Sequence, residues 1–77
     1  MIALLKNEQY FVIGTDNICE FLLEYVKYIG GIDTKIFEIL IDSNKMSIKE
    51  LVEYINNNTY SWEENIVEIY KIGEKIY

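Results

Sequence analysis

The sequence predicts a small α+β domain, an amino-terminal β-hairpin followed by three or four helices. Three observations carry this. Two short apolar runs flank a polar pair near the start, several later stretches repeat apolar residues at helical spacing, and two Ser-x-x-Glu signals stand before such stretches. With 77 residues there is room for one domain, 1–77, and the 51% hydrophobic content is enough for a packed core.

The hairpin is read from residues 2–6 and 9–14, with Asn7-Glu8 between them. Ile2, Leu4, Tyr10 and Val12 fall on one face, and Ala3, Leu5, Phe11 and Ile13 on the other. A ribbon apolar on both sides calls for cover from helices, further strands or another chain. Next, Thr15-Asp16-Asn17 offers helix caps. Ile18, Cys19, Phe21, Leu22, Leu23, Tyr25, Val26 and Ile29 form one apolar arc, and Gly30-Gly31 supplies the stop. Cys19, on the flank of that arc, reads as a buried inert thiol.

The segment from Asp33 to Asp42 satisfies a helix by pattern and a strand by propensity, and the helix is preferred. Ser47-Ile48-Lys49-Glu50 is a capping box, followed by Leu51, Val52 and Ile55 at helical spacing. Asn56-Asn57-Asn58 marks the end. Ser61-Trp62-Glu63-Glu64 is a second capping box. Ile66, Ile69, Tyr70, Gly73, Ile76 and Tyr77 share a side beyond it, which predicts a last helix because strand alternation fails there. The principal alternative is a β-β-α-β-α-β sandwich in which 34–42 and 65–72 are strands.

Absent residue types exclude much chemistry. There is no histidine, so no imidazole triad and no His-containing zinc site can form. A single cysteine rules out an internal disulfide, and without arginine there is no bidentate phosphate recognition. The four glycines are scattered, with no phosphate-binding loop. So short a chain hardly encloses a substrate pocket, so no enzyme is expected and no cofactor or metal either. The pair Glu63-Glu64 is a weak cation signal that helix capping explains more simply. No apolar run reaches the roughly 20 residues of a membrane span, and the start lacks a signal peptide's pattern, which points to the cytoplasm. Ile, Lys, Asn, Tyr and Phe, all with AT-rich codons, dominate the composition, which suggests a bacterium, virus or mobile element of AT-rich genome.

Residues 34–77 resemble the tri-helical core of helix-turn-helix and winged-helix domains. The resemblance rests on Lys35-Ile36-Phe37-Glu38-Ile39-Leu40-Ile41, a short turn, and Met46-Ser47-Ile48-Lys49-Glu50-Leu51-Val52-Glu53-Tyr54-Ile55. It implies helix-turn-helix-like packing, with a recognition helix starting at Trp62. Charge argues against the usual task of that family. Residues 50–70 hold Glu50, Glu53, Glu63, Glu64 and Glu68 and no lysine, so most of the net charge of −6 sits where such a helix would meet DNA.

The functional expectation is therefore a small acidic interaction protein that binds no nucleic acid directly. Its size, composition and acidity resemble, in type, phage-encoded inhibitors such as anti-CRISPR and anti-restriction proteins. The expected partner is a basic protein surface such as a nucleic-acid-binding groove. The expected partner-binding residues are Glu50, Glu53, Tyr54, Tyr60, Trp62, Glu63, Glu64 and Glu68, since aromatic anchors among charges are common in binding hot spots. The competing view of these residues is a solvated acidic face, with Tyr60 and Trp62 capping the core. A homodimer through the hairpin and a helix-turn-helix transcription regulator using Lys6, Lys71 and Lys75 are the alternatives.

Overall fold

In the computed structural model, which describes all 77 residues, the order is β1 (Ile2–Leu5), β2 (Tyr10–Val12), α1 (Ile18–Ile29), α2 (Thr34–Asp42), α3 (Ile48–Asn58), a single 3-10 turn (Trp62–Glu64), β3 (Ile66–Lys71) and β4 (Glu74–Lys75). The fold is mixed α+β, with the expected hairpin and three helices, followed by a second strand pair. All strands pair antiparallel in the order β2-β1-β3-β4.

The helices start where capping side chains satisfy amides that have no partner within the helix. Asn17 accepts from the Glu20 N–H at 3.0 Å, and Asp33 accepts from Lys35 and Ile36 at the head of α2. The Ser47–Glu50 box is complete in both directions, each bond 3.1 Å long. The preferred helix over 34–42 therefore forms, and its strand alternative does not. Helix α3 runs through Asn57 and Asn58 and is closed by Thr59 in extended conformation, so the asparagines end it without a left-handed cap.

The expected helix from Ser61 onward is replaced by strand. Ser61 caps only the 3-10 turn, and the chain then enters β3. A bulge explains why the strand was hidden. Register shifts between Leu4 and Leu5, so that Leu4 faces Glu68 while Leu5 faces Ile66. Val67 is the extra residue, and it reverses the inward–outward phase of everything before it. Ile66 and Ile69, three apart, both point into the core. A three-residue spacing imitates a helix in the sequence. The helix that would have been the recognition helix is thus absent from 61–77, and the sandwich alternative was right about 65–72 alone.

One face of the sheet carries the core. Ala3, Leu5, Ile66 and Ile69 pack with Phe21, Leu22, Tyr25 and Val26 of α1, Phe37 of α2, and Leu51, Val52 and Ile55 of α3. These side chains are nearly all removed from water, the large apolar ones each contributing on the order of 2 kcal/mol. The opposite face has no cover: Ile2, Tyr10 and Val12 are exposed there. Helices therefore meet only half of the demand set by the two-sided hairpin, and β3 supplies the second partner of β1. Helix α2 is also only partly packed, with Phe37 buried and Ile36 and Ile39 open.

Candidate partner-binding surface

The connection from α3 to β3, residues 59–65, brings together the aromatic and acidic residues singled out above. Its backbone is fastened from Ser61 to Asn65, with Thr59 tied by its side chain. Asn56 holds the start of β3 by two bonds, its Nδ2 donating to the Ile66 carbonyl at 3.0 Å and its Oδ1 accepting from the Ile66 N–H at 2.8 Å. The Thr59 hydroxyl donates to the Asn65 side chain at 3.0 Å. From the hairpin, the Lys6 and Asn7 amides donate to the carbonyls of Asn65 (2.9 Å) and Glu63 (3.0 Å). The Tyr25 hydroxyl, from the buried face of α1, donates to the Glu64 carbonyl. Burial, with a smaller contribution from the nearby Glu64 charge, pushes the Tyr25 hydroxyl well above the ordinary tyrosine range, so it stays a donor.

On this fixed backbone the two largest side chains point into water. Tyr60 is 88% exposed and Trp62 64%. Neither caps the core. Tyr60 instead lies across Gly31: a Cβ built on that glycine would come within 2.5 Å of the Tyr60 ring. Gly31 has φ +82°, a conformation that glycine adopts without the penalty of a side chain. Glu63 is exposed beside Trp62, and Glu64 is half-buried.

The other predicted residues are dispersed. On α3, Glu50 and Glu53 lie on the solvent side, opposite Leu51, Val52 and Ile55. The Glu50 carboxylate is already engaged by the Ser47 N–H. Tyr54 is half-buried, its ring 6.1 Å from that of Phe37, so it belongs mainly to packing. Glu68 points outward on the sheet face away from the helices. It pairs with Lys75 at 2.8 Å, and hydrogen bonds from Lys75 and Tyr70 hold its carboxyl below the usual range. The structure thus assembles Tyr60, Trp62, Glu63 and Glu64, keeps Glu53 and Glu50 on a helix, and sends Glu68 elsewhere.

Of the lysines on which a nucleic-acid reading depends, Lys6, Lys71 and Lys75, one is held in an ion pair. Lys75 is paired with Glu68, and Lys71 stands across from Glu74 in the β3–β4 ladder. A cleft of about 230 Å³ between α1 and α2 is lined by Asn17, Cys19, Glu20, Leu23, Glu38, Ile41 and Asp42. Its volume is below the usual range for small-molecule sites. Cys19, expected to be buried, is half-exposed at this cleft. No three His, Cys, Asp or Glu side chains converge as a metal site, and no helix is long and apolar enough to cross a membrane.

The residues that fasten the loop were not evident in the sequence as functional. Asn56 read only as a helix stop, although an amide that can both donate and accept is suited to mimic a strand neighbour. Gly31 read only as a terminator. No protein-family model matches the chain, and no curated protein or solved structure matches it either.

Proposed function

We propose that this protein is a non-enzymatic interaction module that engages a basic protein partner through the 59–65 loop, with Tyr60 and Trp62 as anchors and Glu63 and Glu64 as charged neighbours. The observation that carries the reading is the contrast within that loop. The hairpin turn (Lys6 and Asn7) and α1 (Tyr25) bind the carbonyls of residues 63–65, and Asn56 of α3 fixes Ile66 just beyond, while the loop's two large aromatic side chains remain in water. A surface already held in one conformation loses little entropy on binding. Exposed Tyr and Trp beside carboxylates match the make-up of hot spots, and like charges on the partner's side would be repelled. Glu53 extends the acidic rim along α3.

A nucleic-acid-binding groove is the partner of matching chemistry, because carboxylates can occupy positions meant for phosphates. In that form the protein is an inhibitor of the phage or mobile-element type, comparable to anti-CRISPR and anti-restriction proteins. The full chain, the Tyr60→Ala/Trp62→Ala variant and the Glu63→Lys/Glu64→Lys variant, used as baits in a bacterial lysate, test this. The wild type is expected to retain a basic protein that rising salt or added duplex DNA displaces. Each double variant should lose it by about tenfold or more. Identical retention by all three baits sinks the proposal.

A further inference from the structure

The two edges of the sheet are protected very differently, and this difference carries an inference independent of the 59–65 loop. Strand β4, at one edge, is two residues long and consists of Glu74 and Lys75, both exposed. Charge and shortness are the usual means of discouraging a further strand from adding there. Strand β2, at the other edge, is Tyr10-Phe11-Val12, with no charge, proline or bulge.

The ladder identifies the groups left open on β2. The Leu5 N–H donates to the Gln9 carbonyl, the Ile13 N–H donates to the Met1 carbonyl, and Phe11 stands opposite Ala3. Alternation then turns the N–H and C=O of Tyr10 and Val12 away from β1. No hydrogen bond outside the ladder reaches either residue. Apolar side chains flank this open edge on both faces of the sheet. Tyr10 and Val12 are 63% and 61% exposed on the outer face. On the helix side, half-buried Phe11 stacks on Tyr28 with ring centroids 5.1 Å apart, and Tyr28 itself is 68% exposed.

We infer that β2 pairs with β2 of a second copy of this chain, forming an antiparallel two-fold dimer with one continuous eight-stranded sheet. The register is self-complementary. An axis through Phe11 puts Tyr10 of one copy opposite Val12 of the other, so the two residues exchange both of their open backbone bonds. The same register puts Glu8 opposite Gly14 of the second copy, so these acids do not face each other. A second copy fits because Gln9–Thr15 hold no charged side chain, so two such edges meet without repulsion between the facing strands, each offering the open backbone groups the other needs. A basic partner would find nothing on β2 to pair with.

A single strand pair is a small interface, so the dimer is weak, with a dissociation constant of roughly tens to hundreds of micromolar. Like charge on the rest of the molecule opposes it, and screening removes that opposition. Sedimentation equilibrium of the full chain, from about 10 μM to about 1 mM, should show the mass rising from 9.1 kDa toward twice that value, more steeply at high salt. Salt should weaken a complex held by the acidic loop, so the two surfaces are distinguishable. Val12→Pro removes an outward N–H and should keep the chain monomeric with an unchanged circular dichroism spectrum. Tyr10→Lys/Val12→Lys alters only exposed side chains and should do the same. Hydrogen exchange on the wild type reads the edge without any variant: the Tyr10 and Val12 amides should exchange about three- to sixfold more slowly at the highest concentration than at the lowest. A monomer at every concentration and salt, a dimer that both variants retain, or exchange independent of concentration would each overturn the inference.

Discussion

The side-chain amide of Asn56 does for Ile66 what a neighbouring strand would do, giving one hydrogen bond to its carbonyl and accepting one from its N–H. Ile66 opens β3 and is buried, so these backbone groups have little water to turn to. Asn56→Ala should therefore destabilise the fold by about 2 kcal/mol, in line with leaving two partly buried groups unpaired. Urea unfolding measures the loss. Hydrogen exchange should place it at residues 64–66, and a change under about 0.5 kcal/mol would show that the amide is dispensable.

The helices were legible because their signals are local. Asn17 and the Ser47–Glu50 pair each act within three residues of themselves, and the structure uses both; Asp33, which heads α2, did not read as a cap in the sequence. Strand β3 was not, because its pattern depends on a bulge that exists only once β1 is alongside. Val67 takes no inward place, so Ile66 and Ile69 share a face and copy the spacing of a helix. The candidate surface divides in the same way. Proximity in sequence placed Tyr60, Trp62, Glu63 and Glu64 together. It could not show that Glu68, past the bulge, faces the far side of the sheet and pairs with Lys75.

The turn between β3 and β4 holds a residue poorly suited to it. Ile72 and Gly73 are both at positive φ, +49° and +76°, between the paired residues Lys71 and Glu74. Two-residue hairpin turns of this kind prefer Asn-Gly, and a β-branched residue at positive φ is strained. Ile72 is 93% exposed, so little packing offsets that strain. Ile72→Asn should stabilise the protein by about 1 kcal/mol, read as a higher midpoint in thermal or urea unfolding. No change, or a loss, would mean that Ile72 makes contacts in solution that favour it.

Alkaline pH should act through Tyr25. Its hydroxyl is raised above the ordinary range by burial, then by Glu64 and Tyr28, so the folded state keeps a proton that the unfolded chain releases. The stability this contributes is fully present below about pH 10, where an unfolded tyrosine is still protonated, and falls as pH climbs further. The slope from this one group is about 1.4 kcal/mol per pH unit. Tyr25→Phe should lose about 1 kcal/mol at neutral pH, since the Glu64 carbonyl loses its donor, and should show a flatter decline above pH 10. Parallel declines for wild type and variant would assign the alkaline sensitivity to other groups.

Gly31→Ala tests whether the position of Tyr60 matters to binding, separately from its presence. The new methyl group would sit 2.5 Å from the ring, and because Tyr60 is otherwise in water the ring can swing aside at little cost. The backbone cannot relax as easily at φ +82°, which costs about 1 kcal/mol of stability. The variant should remain folded, with a midpoint only slightly lowered, yet bind the partner about tenfold more weakly because one anchor has lost its seat. In a double-mutant cycle with Tyr60→Ala, the binding losses should not add, since both changes remove the same placed ring. Additive losses would mean that Gly31 and Tyr60 act on the partner independently, and that the contact between them does not prepare the surface for binding.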